Sequence, residues 1–112
     1  MRMDNYKLVY FVPPSHLQAT KHAIHEAGGG VYADGKYIQC AFEIQGSGQF
    51  IPVAEAGANP HTGTPGKLEK TDEFRVEIKC SGRDVAKKAV VALKHSHPYE
   101  VPAYEVYKME DF

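Results

Sequence analysis

Glu73-Phe74-Arg75-Val76-Glu77-Ile78-Lys79-Cys80 alternates without a break between charged and apolar side chains. Successive strand residues point to opposite faces of a sheet. Phe74, Val76, Ile78 and Cys80 therefore share one face, and Glu73, Arg75, Glu77 and Lys79 the other. Immediately downstream the period changes. Ser81 with Asp84 reads as a capping pair that opens a helix. Val85, Ala89 and Leu93 recur at helical spacing, supported by Ala86, Val90 and Ala92. Lys94 and His95 fall near the helix C-terminus, where the macrodipole favours cations. A last strand is predicted over Ala103–Tyr107, so this part of the chain reads strand, helix, strand.

The upstream part repeats that order. Tyr6–Val12 is almost wholly apolar or aromatic, which suits a central strand covered on both faces. Pro13-Pro14 ends it, because proline lacks the ladder donor. Ser15, with Gln18 in capping-box position, predicts a helix striped by Leu17, Thr20, Ile24 and Ala27. Gly28-Gly29-Gly30 stops it. Tyr37–Ile44 alternates again, with Ile38, Cys40, Phe42 and Ile44 on one face and Gln39 and Glu43 on the other. Gly46-Ser47-Gly48 reads as a tight turn into a short strand, Gln49–Ile51, which Pro52 places at an edge. Val53–Lys70 is a long connection rich in Gly, Pro, Asn and Thr, a length that is often functional or interfacial.

Two helices between strands fit most simply on one face of a four-stranded antiparallel sheet. The expected fold is α+β, a ferredoxin-like βαββαβ arrangement with an extra short edge strand. Residues 1–112 suffice for one domain with one core. The other sheet face has no helix, so it must stay wet or pack against another subunit.

Composition limits the function classes. The formal net charge is −1, which does not recommend nucleic acid as a partner. The open face is expected to carry Glu73, Arg75, Glu77 and Lys79 rather than the stacking rings of an RNA-binding sheet. No apolar run approaches the roughly 18 residues of a membrane span. Cys40 and Cys80 sit in apolar strand patterns without metal or redox spacing, and no signal peptide is evident. Both are expected to be buried, reduced and quiet, in a cytoplasmic protein.

The densest chemistry lies in His97-Pro98-Tyr99-Glu100-Val101-Pro102-Ala103-Tyr104-Glu105-Val106-Tyr107. His97 and Glu100 suit a ligand pair or an acid and base, because imidazole titrates near neutrality and binds metals. The plainer reading is a proline-fixed turn that begins the last strand. A complete metal site needs further ligands, for which Glu73 or Glu77 are candidates; the plainer reading of those is a solvated strand face. The loop Ala58-Asn59-Pro60-His61-Thr62-Gly63-Thr64-Pro65-Gly66-Lys67 places Asn59 and His61 among residues whose amides can cradle an anion. It lacks the glycine spacing of a Walker A loop, and the plainer reading is a turn-rich loop or a subunit contact. His22 and His25 with Glu26 have the spacing of a surface metal site or of a plain solvated helix face. No nucleophile occupies a recognisable catalytic motif.

Several segments together resemble the YqfO-type domain inserted in Nif-three-like dinuclear-metal proteins and also found as a free-standing chain. They are Gly35-Lys36-Tyr37-Ile38-Gln39-Cys40-Ala41-Phe42, Gly46-Ser47-Gly48-Gln49-Phe50-Ile51-Pro52, Gly57-Ala58-Asn59-Pro60-His61-Thr62-Gly63, Glu73-Phe74-Arg75-Val76-Glu77 and His97-Pro98-Tyr99-Glu100. Val101 stands where that pattern leads one to expect an acidic residue. The resemblance extends to PII signalling proteins and to trimeric CutA proteins, and so implies a homotrimer. The dinuclear metal site of the large relatives lies on flanking domains that these 112 residues do not include.

The expected function is a non-catalytic trimeric regulatory or assembly module that binds a small ligand, ion or partner protein. Its ligand residues would be His97, Glu100, Tyr99, His61 and Asn59. The alternative is a small metal-binding protein or enzyme using His97 and Glu100, with Glu77 as a further ligand and a divalent cation as cofactor. Neither membrane nor nucleic acid is expected as a partner.

Overall fold

The computed structural model describes residues 3–112. Its sheet has the order β2-β3-β1-β4, all antiparallel, formed by β1 (Asn5–Val12), β2 (Phe42–Phe50), β3 (Glu69–Ser81) and β4 (Tyr104–Met109). Helices α1 (Leu17–Glu26) and α2 (Arg83–Ser96) link β1 to β2 and β3 to β4. This is the expected α+β, ferredoxin-like arrangement, and β1 is central as its apolar run requires.

The core forms between the sheet and the helices. Leu8, Tyr10 and Val12 of β1 and Val76, Ile78 and Cys80 of β3 meet Leu17 and Ile24 of α1 and Ala86, Ala89 and Leu93 of α2. The predicted helical stripes are thus the buried faces. One polar pair lies inside. The Tyr10 hydroxyl donates to Thr20 Oγ1 at 2.9 Å, and Thr20 Oγ1 donates back to the His16 and Leu17 carbonyls. Burial pushes the Tyr10 phenol up to about 12, so it stays a neutral donor.

Several local expectations are corrected. Neither helix is capped by a side chain. Ser15 lies in a short 3-10 turn, Pro14–His16, and meets His16 Nδ1 rather than capping α1. Gly82, not Ser81, is the N-cap of α2, and its φ of 94° is a left-handed conformation that suits glycine.

The edge strand differs most. Tyr37 closes a narrow bridge with Tyr32, Gln39 adopts φ 56°, and Cys40 N–H bonds the Gly30 carbonyl. The Lys79 carbonyl, the partner a longer β2 would need, already accepts from Gly30 N–H at 2.7 Å. The strand therefore starts at Phe42. It then runs straight through Gly46-Ser47-Gly48, because β3 begins at Glu69 and supplies partners along the whole length. Gln49 and Phe50 continue this edge strand instead of forming a separate one after a turn. Gly48 leaves room for a side chain: the Glu73 carboxylate lies where a Cβ on it would stand.

The register also settles the faces. Phe42 is opposite Glu77 and Ile44 opposite Arg75, on the side away from the helices. Glu43 points the other way, where its Oε1 lies 2.6 Å from Lys21 Nζ on α1. The helix-free face thus holds not only the expected charges of β3 but also Phe11, Phe42, Ile44 and Tyr107. Phe42 is 58% exposed and Ile44 51%.

Cys80 is fully buried, and burial pushes its thiol up to about 11. Cys40 lies outside any strand and is only half-buried, so the expectation of two buried thiols holds for Cys80 alone. Among the described residues no helix is long and apolar enough to cross a membrane.

Candidate functional site

Residues Glu69–Glu73 of β3 extend beyond the end of β1 and pair only with Gly46–Phe50 of β2. This leaves a two-stranded ribbon past the body of the sheet. The α2–β4 connection, residues 97–103, and the β2–β3 connection come to the same end of the molecule. A cleft of about 290 Å³ lies between them. Phe11 forms part of its wall, with Phe50 and Glu73 on the ribbon side. Pro60, His61 and Thr62 come from the loop, and Tyr99, Glu100, Val101 and Ala103 from the turn.

His97 pins this end together. It is the C-cap of α2, its N–H bonds the Leu93 carbonyl, and it is 7% exposed. Its Nε2 lies 2.6 Å from the Phe11 carbonyl, which can only accept, so Nε2 carries the proton. Nδ1 then accepts from Tyr99 N–H at 3.1 Å. Both ring nitrogens are therefore engaged inside the chain. Burial holds the imidazole below its ordinary pKa, the Phe11 carbonyl opposes this, and His16 and His61 nearby add to the lowering. In this geometry the His97 ring links Phe11 of β1 to Tyr99 of the turn beside the cleft.

Glu100 is exposed, and its Oε2 accepts from Asn59 N–H at 2.8 Å. This bond ties the turn to the loop across 41 residues of sequence. Tyr99 sits between them. Its ring lies edge-on to His97 at 4.9 Å and packs with His61 at 6.0 Å and Phe50 at 6.5 Å. The His16 ring touches His61 edge-on. The Tyr99 hydroxyl is buried close to Glu73 and Thr71 but meets hydrogen-bond geometry with neither. Burial and then the Glu73 charge push this phenol up. Burial likewise pushes the Glu73 carboxyl up, against the pull of the Tyr99 hydroxyl.

The fold thus brings together His97, Tyr99, Glu100, His61 and Asn59. It does not bring Glu77 to them: Glu77 is on the helix-free face, where its Oε2 accepts from Arg75 Nε at 3.1 Å. Among the described residues no three His, Cys, Asp or Glu side chains converge as a metal centre. The amides expected to cradle an anion are partly spent on turns. Gly57 bonds Ala54, Ala58 bonds Val53, Gly66 bonds Pro52 and Lys67 bonds Thr64, while Asn59 serves Glu100. On α1, His22 and Glu26 form an exposed pair at 3.9 Å, and His25 Nε2 meets the Cys40 carbonyl. Sequence reasoning missed Phe11, Phe50 and Val101 as walls of the cleft. The parity of Phe11, opposite to Leu8, Tyr10 and Val12, was the available signal.

No family model matches the chain. The GTP cyclohydrolase 1 type 2 homolog of Halalkalibacterium halodurans is 42% identical over 105 residues, which are 93% of this chain and 27% of that protein. The chain therefore spans about a quarter of the length of the curated relatives it matches. A Bacillus cereus protein related to NIF3 superposes with a TM-score of 0.80 at 30% identity, over 99% of this chain and 27% of that one. The periplasmic divalent cation tolerance protein CutA from Archaeoglobus fulgidus gives a TM-score of 0.64 at 13% identity, covering 96% and 86% of the two chains. B. subtilis GlnK, solved as an ATP complex, gives 0.62 at 11%, covering 97% and 84%. The last two bear on the fold alone. Over nearly its whole length the chain is similar to a segment of the GTP cyclohydrolase 1 type 2 homologs and of a NIF3-related protein, in keeping with the YqfO-type resemblance, and its fold is CutA- and PII-like.

Proposed function

We propose that this YqfO-type chain is a non-catalytic, homotrimeric regulatory or assembly module that binds a small ligand in the cleft between residues 58–62 and 99–103. The observation that carries the reading is the Glu100–Asn59 bond, which closes a loop and a turn around an apolar-walled cavity. A concave, mostly apolar pocket with a few convergent polar groups is the usual form of a small-molecule site. Tyr99, Glu100, His61 and Asn59 would meet the ligand. His97 would hold Tyr99 in place through the Tyr99 amide. Pro60, Pro98 and Pro102 restrict the backbone on either side and reduce the ordering cost of binding.

Two features favour assembly with copies of the same chain. The helix-free sheet face exposes Phe42, Ile44 and Tyr107 among its charges. The β2–β3 ribbon stands beyond the sheet with no third strand, an arrangement of marginal stability in water unless something packs on it. A trimer would repeat the cleft three times. A cytoplasmic setting fits its two unpaired cysteines.

A thermal-shift screen of metabolites and ions tests the ligand reading, because a native-state ligand raises apparent stability. We expect a compound that raises Tm for the wild type and not for His61→Ala or Glu100→Ala, with assembly retained in both. A compound whose effect survives both substitutions contradicts the assignment.

A further inference from the structure

We infer that the cleft selects a flat cationic or N–H-donating ring, of the arylamidine or protonated aminoheterocycle type, and rejects phosphate-bearing and carboxylate-bearing ligands. This rests on the preceding reading of the cleft as a ligand site, and it names the chemistry of the ligand.

Charge comes first. Neither lysine nor arginine lines the cleft, whereas Glu73 and Glu100 both do. The nearby Arg75 is committed elsewhere: its Nε donates to Glu77, and its guanidinium carbon lies 5.7 Å from the Phe11 ring centre. Lys67 lies in the neighbouring loop but does not line the cleft. Helix α2 ends at His97, so its partially negative C-terminus faces the same region. Among the described residues the basic side chain in the lining is the His61 imidazole, which packs edge-on with His16.

Hydrogen bonding points the same way. A phosphate or carboxylate needs free donors, and on the loop side the amides of Ala58 and Asn59 are taken by the Val53 carbonyl and the Glu100 carboxylate. Acceptors, by contrast, are in surplus. Among the described residues the Glu73 carboxyl has no ion-pair partner. A carboxylate facing a bound N–H group forms a charge-assisted bond, stronger than a neutral one. Glu73 keeps this position because Gly48 leaves space for it.

Shape completes the case. Phe11, Phe50 and Tyr99 line the same cleft as Glu73, and the Phe50 and Tyr99 rings lie 6.5 Å apart. Aromatic walls attract cations through their faces and receive flat rings by stacking. A planar cation satisfies the walls and the carboxylate together, and a planar anion satisfies only the walls.

The test uses the chain of 112 residues, labelled with nitrogen-15, in its native assembly. The amides of Ala58, His61, Glu100 and Val101 report on the cleft. Benzamidine, benzoate and ATP are titrated in turn into the wild type and into Glu73→Gln, whose fold is checked by the rest of its spectrum. Benzamidine should move the cleft amides with an apparent affinity at least about tenfold greater than benzoate, and the substitution should weaken it by about tenfold or more. If benzoate or ATP moves those amides as strongly, or if Glu73→Gln binds benzamidine unchanged, the charge selectivity is wrong while the cleft remains a ligand site. If no probe of either sign moves them, both this inference and the reading of the cleft fall together.

Discussion

His97 carries a pH dependence that follows from its two hydrogen bonds. The folded form is the neutral ring, donating from Nε2 to the Phe11 carbonyl and accepting at Nδ1 from the Tyr99 amide. Its pKa is lowered in the fold, chiefly by burial. A group of this kind binds fewer protons folded than unfolded in the window below its ordinary value. Its stabilising contribution is thus complete above about pH 6.5 and is lost as pH falls toward the lowered value. His97→Ala should cost about 1–3 kcal/mol in denaturant melts above about pH 6.5, and that difference should shrink in more acidic buffer. A difference independent of pH would contradict the assignment of the neutral ring. The cysteines divide at the same scale. Cys80 is fully buried with a raised thiol pKa, and Cys40 is half-buried outside the sheet. A maleimide should label Cys40 of the folded chain well before Cys80, and equal slow labelling of both would contradict the placement of the 37–40 segment. The dense polar run after α2 and the turn-rich loop were legible as candidate site segments from residue types alone. That Glu100 reaches Asn59, and that His97 turns inward, depends on contacts 41 and 86 residues apart, which no local pattern reports.

At the scale of elements, the helices were easiest to read. Their stripes at Leu17, Thr20, Ile24 and at Ala89, Leu93 are the faces that the core buries. Their starts were misread because Ser15 and Ser81 have the chemistry of caps while the chain turns one residue later, at His16 and Gly82. The edge strand was harder. The alternation from Ile38 to Ile44 is genuine, yet strand structure needs a partner, and Gly30 has taken the Lys79 carbonyl. Conversely, Gly46-Ser47-Gly48 has turn composition but lies opposite Glu73, Asp72 and Thr71. Gly48 answers to the bulk of the Glu73 side chain, which occupies the place of a Cβ there. The apolar parity of β2 also faces away from the helices, which gives a direct prediction. Ile44 is half exposed opposite Arg75 on the helix-free face. Ile44→Lys should leave far-UV circular dichroism unchanged and dissociate the assembly, since it places a charge with a like-charged neighbour, Arg75, in an apolar contact. An assembly of unchanged mass in that variant would mean that this face is not the contact.

The whole molecule is longer than its chain length requires. It measures 50 × 24 × 23 Å, and its radius of gyration is 15.4 Å. A compact chain of about this length has a radius near 13 Å. The excess fits the paired ends of β2 and β3 that run beyond β1, and the long connection between them. An elongated body with an open, partly apolar sheet face and a projecting ribbon is poorly satisfied alone. Copies of itself would cover both, and would set three clefts around one assembly. This claim of self-association is open to one direct measurement, the mass in solution by light scattering during size exclusion over a range of loading concentrations. A mass three times the 12.4 kDa of one chain, held across that range, is the predicted result, and a particle of 12.4 kDa at every concentration would contradict the account.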